Sequence, residues 1–160
     1  NHQYILKMSN HELAEQFLPT LEEKSITVSL EKVARIVGLV KDRVHFSKEL
    51  WDQASFFFVA PTTYDEKTVR KRWKEDTPQQ MQQLIEVISN TADFSAQSQE
   101  EAVKEWIKEK ELNTGAIMNA LRLAIVGEPK GPGIFLITEL IGKKESVRRI
   151  QQAIDTLSAK

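Results

Sequence analysis

The chain has 160 residues, a formal net charge of -1 and 41% hydrophobic residues, enough to bury one core or two small ones without staples. It contains no cysteine, which excludes disulfides, thiolate zinc sites and a cysteine nucleophile and fits a reducing compartment, so a cytoplasmic location is expected. The balanced charge gives no global basic excess, so any nucleic-acid binding must be local, and no run approaches the roughly 18 apolar residues of a membrane span.

The opening residues NHQYILKMSN lack the apolar core of a signal peptide. Tyr4, Ile5 and Leu6 have no capping signal before them, so the chain reads as beginning inside an element, a fragment of a longer protein. Ser9 and Glu12 form a capping-box pattern ahead of Leu13, Phe17 and Leu18, which predicts a helix running to about Pro19. Within it, HELAE nearly matches a zinc-protease motif, but Glu15 stands where the second histidine is required. No metal site is expected.

Ser29 caps a second predicted helix with Leu30, Val33, Ile36, Val37, Val40 and Val44 on one stripe. Its end, Lys41, Asp42, Arg43 and His45, is polar and basic, as suits the negative end of a helix macrodipole. Ser47 and Glu49 open a further helix, in which Leu50, Trp51, Ala54 and Phe56 to Phe58 are too apolar for water and read as core. APTT, residues 60–63, is the clearest punctuation. A boundary is placed there, dividing the chain into helical subdomains 1–60 and 61–160.

The stretch YDEKTVRKRWKED alternates charges, so it reads as an exposed helix with Val69 and Trp73 turned inward. Thr77 and Pro78 predict an N-cap and first-turn proline for a helix carrying Met81, Leu84, Ile85, Val87 and Ile88. Ser98 and Glu101 repeat the capping-box pattern for a helix over Glu100 to Glu111, with Val103, Trp106 and Ile107 buried. Asn113 and Thr114 cap the next. With this many helices and no strand alternation, the fold class is all-α.

The segment GAIMNALRLAIVG reads as a buried helix ending at Gly127, followed by a Gly/Pro knot in which Pro132 restarts the chain in a first helical turn. Arg122, in the middle of the apolar run, needs a partner. As a phosphate loop the knot fails: counted from Gly127, the second glycine of that pattern falls on Pro132, and no Gly-Lys-Ser/Thr follows. The closing basic run, Lys143, Lys144, Arg148 and Arg149, serves either as a set of phosphate contacts or as a solvated helix face.

The Leu121-Arg122 pair, the Gly/Pro knot and the Gly-Lys-basic helix ELIGKKESVRRI, preceded by NHQYI, the VKDRV turn and the LW helix, closely resemble the C-terminal anticodon-binding region of bacterial-type glutamyl-tRNA synthetases. The resemblance implies an all-α anticodon-binding cage of two packed helical subdomains, without the Rossmann catalytic domain. Neither the family's His-Gly signature nor its Lys-Met-Ser-Lys-type loop is present, since KMSN at Lys7 to Asn10 is a partial match inside the cage. The fragment alone is therefore expected to be non-catalytic and to hold no cofactor. ATP and magnesium are implied for the parent glutamate-tRNA ligase.

By the same resemblance, Arg43 approaches the third anticodon base, Arg122 faces the anticodon, and Gly131, Pro132, Gly133 and Ile134 pack on the first anticodon bases. Arg43 in the first subdomain would face Arg122 and the knot in the second. Family members often carry a side chain where this chain has Gly131, which leaves backbone contact there. The implied partners are tRNA(Glu) and the parent's own catalytic domain, with no membrane and a monomeric state. Composition alone equally allows a helical protein-interaction scaffold without RNA binding.

Overall fold

The computed structural model describes residues 2–158, and the chain divides into two compact units, Asn1–Val59 and Ala60–Lys160. Every regular element among the described residues is helical. In the first unit these are α1 (His2–Lys7), α2 (Asn10–Glu23), α3 (Leu30–Val40) and the short α4 (Leu50–Ala54), joined by 3₁₀ turns at Lys41–Arg43 and Ser47–Glu49 and followed by one at Ser55–Phe57.

The Ser9 capping box forms: its hydroxyl accepts from the Glu12 amide while the Glu12 carboxylate accepts from the Ser9 amide. The helix then continues through Pro19 to Glu23, beyond the predicted end. A proline inside a helix removes one backbone bond and costs about 3 kcal/mol. Here Leu13, Ala14, Phe17 and Leu21, which recur at helical spacing, are all buried, and α2 packs along α3. Burying a leucine or phenylalanine side chain contributes roughly 1.5–3 kcal/mol each, so packing overrides the local breaker.

Ser29 caps α3 through the Lys32 amide. Val33, Ile36, Val37 and Val40 form its buried stripe, and Val44, extended rather than helical, is buried as well. Lys41 closes this end of the unit, its ammonium donating to the Met8 carbonyl and the Asn10 side chain, each at 3.0 Å. Phe56 and Phe57 are buried and Phe58 half-buried. The Phe58 ring stacks 6.3 Å from Trp51 and meets Phe17 edge-on at 6.1 Å.

The second unit contains α5 (Glu66–Arg72), α6 (Thr77–Ser89), α7 (Ala96–Glu109), α8 (Thr114–Val126), α9 (Ile134–Ile141) and α10 (Lys143–Leu157). The long α10 packs on α6 and α8, α7 packs on α6 and α9, and α5 packs on α8. Two predicted caps shift. Thr77 does not cap α6: its hydroxyl accepts from the Lys74 amide and donates toward the Arg72 carbonyl, which closes the turn before the helix, and Pro78 occupies the first turn. Helix α7 begins at Ala96, one turn earlier than expected, because Ser95 takes the cap by accepting from the Ser98 amide.

Polar bonds then lock α7 to α9. The Glu139 carboxylate accepts from the Ala96 amide at 2.6 Å, and the buried Thr138 hydroxyl donates to Gln99 at 2.6 Å. Both bonds fix the distance between two helices that border the cleft described next.

Candidate nucleic-acid interface

Asn113 caps α8 by accepting from the Ala116 amide, and the helix buries Ile117, Ala120, Leu121 and Leu123 to Val126. It stops at Gly127, whose φ of +85° is the left-handed conformation expected of a C-terminal glycine. A side chain there would also collide: an added Cβ would lie 2.7 Å from the Pro61 Cβ and 2.9 Å from the Thr63 carbonyl oxygen. The Gly127 carbonyl accepts from the Asp65 amide at 2.9 Å. The start of the knot is thus pinned to the segment that leads into α5.

The partner of Arg122 is the knot itself. One terminal nitrogen of its guanidinium donates to the Lys130 carbonyl at 3.0 Å and to the Pro132 carbonyl at 2.8 Å. A planar, permanently charged guanidinium suits two backbone acceptors in a fixed loop. Pro132 itself lies before α9 and not in its first turn, since Gly133 is the N-terminal flanking residue. Gly131 has φ +104°, a region that favours glycine.

Arg122, Gly133 and Ile134 all line a cleft of about 680 Å³ bounded by α7, α8 and the start of α9. Sequence reasoning missed the rest of its wall. Glu100 and Lys104 from α7, an ion pair at 2.8 Å, supply charge on one side. Met118, Asn119 and the 40% exposed Leu136 supply an apolar floor with one amide. Asn119 precedes Arg122 by three positions, which puts the two on one helix face; that spacing was the available signal.

Arg43 lies in the other unit, exposed in the 3₁₀ turn after α3, where it donates to the Leu39 carbonyl at 3.4 Å. The turn that follows is held by Glu49, whose carboxylate accepts from the His45 and Phe46 amides at 3.0 and 2.8 Å. A side chain on a fixed turn loses less entropy on binding any ligand than one on a mobile loop.

The four cations of the closing run separate in the structure. Lys144 is exposed in the first turn of α10. Lys143 donates to the Ser89 carbonyl at 3.2 Å and lies 5.7 Å from the Phe94 ring centre. Arg148 is 54% exposed and grips Glu145 with two bonds of 2.8 Å. Arg149 is a correction: only 2% of its side chain is exposed, and it donates to Glu145 at 2.7 Å and to the Ile125 carbonyl at 2.9 Å. It cannot reach a phosphate. It satisfies one of the last carbonyls of α8, which have no partner within their own helix.

The hydrogen bonds from Arg148, then from Arg149, pull the Glu145 carboxyl from its ordinary 4.5 down to about 2 against the opposing effect of burial. Burial pulls the Arg149 guanidinium below its ordinary value, with the Glu145 bond opposing. An arginine starts so far above neutrality that it stays charged. Among the described residues no group of three or more His, Asp or Glu is placed to hold a metal ion, and no helix is long and apolar enough to cross a membrane.

The chain is 54% identical over 157 residues to a glutamate-tRNA ligase from Bacteroides thetaiotaomicron, covering 98% of this chain and 31% of that protein. A second such ligase, from Flavobacterium johnsoniae, is 48% identical over the same shares. A crystal structure of a glutamate tRNA ligase from Elizabethkingia meningosepticum in complex with its amino acid superimposes with a TM-score of 0.93 at 41% identity, over 98% of this chain and 31% of that one. The chain therefore spans about a third of the length of the curated relatives it matches. These relatives give no support to a protein-interaction scaffold. The family model described as the anticodon binding domain matches residues 11–154, most of the chain, and this places the chain in the anticodon binding domain family.

Proposed function

We propose that this chain is the anticodon-recognition part of a cytoplasmic, monomeric glutamate-tRNA ligase and that its partner is the anticodon loop of tRNA(Glu). Glutamate activation with ATP and magnesium would fall to a catalytic domain in the same protein, and no residue of this chain is assigned to it. The observation that carries the reading is the match of residues 11–154 to the anticodon binding domain.

Unstacked bases in an RNA loop are read by edge hydrogen bonds and by apolar or planar surfaces. Arg43, exposed on its turn, contacts the third anticodon base and distinguishes cytosine from uracil by their donor and acceptor patterns. The knot from Gly131 to Ile134 forms the shoulder on which the first anticodon bases rest. Arg122 acts at least in part by holding that shoulder rigid through the Lys130 and Pro132 carbonyls. Lys143, Lys144 and Arg148 supply phosphate contacts, Lys144 with its ammonium in solvent.

The test is binding of the chain to tRNA transcripts that differ only in the anticodon. Arg43→Gln is the cleaner variant, because Arg122→Ala also releases the knot. Loss of one base-edge contact costs roughly 1–3 kcal/mol. If Arg43→Gln leaves both affinity and third-base preference unchanged, the assignment of Arg43 is wrong. If the unaltered chain shows no anticodon preference, the reading as a whole is wrong.

A further inference from the structure

We propose that Asn119 is a base-discriminating residue, pairing with the edge of one unstacked RNA base held in the cleft between α7, α8 and α9. The proposal rests on the anticodon reading above and names the side chain that does the reading in this cleft. Three observations carry it.

The first is the fixed orientation of the amide. Asn119 is half-buried, and its nitrogen donates to the Gly115 carbonyl one turn earlier at 2.7 Å. That bond commits one amide hydrogen and sets the rotamer. It leaves the carbonyl oxygen and the second hydrogen outside that bond, on a residue that lines the cleft. An amide presents an acceptor and a donor side by side, the arrangement that pairs in two bonds with a base edge.

The second is the division of labour along α8. Arg122, one turn further on, already donates to two knot carbonyls. Lys104 on the opposite wall is paired with Glu100. A guanidinium and an ammonium carry no acceptor. Asn119 brings an acceptor and a donor together on the α8 wall of the cleft.

The third is space. Gly133 has φ -51° and ψ 135°, which any residue adopts, and an added Cβ would meet the Leu136 side chain only at 3.6 and 3.8 Å, ordinary contact distances. Neither backbone conformation nor packing requires a glycine there. The missing side chain leaves the cleft open beside the exposed Leu136, room for a flat ring to lie close to the chain.

The experiment measures binding of the chain to anticodon stem-loops carrying each of the four bases at each anticodon position. Asn119→Leu keeps the branched shape and removes both polar atoms. It is expected to erase discrimination at one position by roughly 5- to 150-fold, with discrimination at the other positions and the melting temperature unchanged. Asn119→Asp keeps the acceptor and loses the donor, so at that same position preference moves toward bases whose edge presents N–H donors, while total affinity falls through charge repulsion. Gly133→Ala is expected to weaken binding without lowering the melting temperature. If Asn119→Leu leaves discrimination intact at every position while Arg43→Gln alters it, the Asn119 assignment is overturned and the anticodon reading stands. If the unaltered chain discriminates nowhere, both fall together.

Discussion

Arg149→Ala separates a structural cation from a nucleic-acid contact, and its cost follows from the bonds it breaks. The side chain is 2% exposed and bridges Glu145 and the Ile125 carbonyl. Removing one partner of a buried ion pair costs roughly 3–5 kcal/mol when the other charge is left buried and unpaired. Here Glu145 is 32% exposed and keeps Arg148, so that penalty is not paid in full. The Ile125 carbonyl, left without this donor, costs about 1–3 kcal/mol, and the lost contacts of the arginine stem add about 1–2 kcal/mol. The expected loss is about 3 kcal/mol, set against a domain stability of about 5–15 kcal/mol.

Differential scanning calorimetry is the assay. At about 4–8 °C per kcal/mol for a unit of this size, the transition of the second unit falls by at least about 12 °C. Arg149→Met restores the packing of the stem but not the bond to Ile125, and recovers about half of the loss. In parallel, the salt dependence of tRNA affinity measured at a temperature where the variant is folded stays unchanged, because an enclosed guanidinium releases no counterion. A fall of a degree or two in melting temperature together with a shallower salt slope would refute this account and return Arg149 to the phosphate-facing set.

The same network makes stability depend on acid. The Glu145 carboxyl is depressed in the folded state from 4.5 to about 2, so its contribution is fully present above about pH 4.5 and is lost as pH falls through about 2. At ~1.36 kcal/mol per pKa unit the shift corresponds to about 3 kcal/mol, reduced to about 1–2 kcal/mol by the solvent exposure of the carboxylate. Urea titrations between pH 5 and pH 2 should show that loss in the native chain and a smaller one in Glu145→Gln. Gly127→Ala forces an alanine into the left-handed region against the Pro61 ring and the Thr63 carbonyl and should destabilise the second unit by at least about 2 kcal/mol in the same titration. Lys144→Ala, at an exposed first-turn position, should lower the salt slope of tRNA binding by about one unit while leaving base preference unchanged.

Local chemistry decided much of this protein and is legible residue by residue. The capping box at Ser9, the caps at Ser29 and Asn113, the buried stripe of α3 and the left-handed Gly127 each depend on atoms within one turn of one another, so the sequence pattern suffices to place them. The helical class follows from their sum, since no segment alternates at the period of a strand. The motif order around Leu121-Arg122 and the Gly/Pro knot carried the family.

Where the sequence misled, a distant contact had outweighed a neighbouring one. Pro19 does not end α2 because the burial of Leu21 against the rest of the unit compensates for the missing amide. Arg149 reads as one more cation in a basic run, and only the placement of α10 beside the end of α8 encloses it under the Ile125 carbonyl. Arg122 is visibly an arginine in need of a partner, but the chain folds the knot's own carbonyls onto it. The cleft wall formed by Glu100, Lys104 and Asn119 joins side chains up to 19 positions apart, and such a wall exists only once α7 and α8 have packed. Helix starts, stops and faces are properties of short stretches and were written in the sequence; which charge is buried and which side chains share a cleft were settled by packing, because those depend on what lies across the gap and not along the chain.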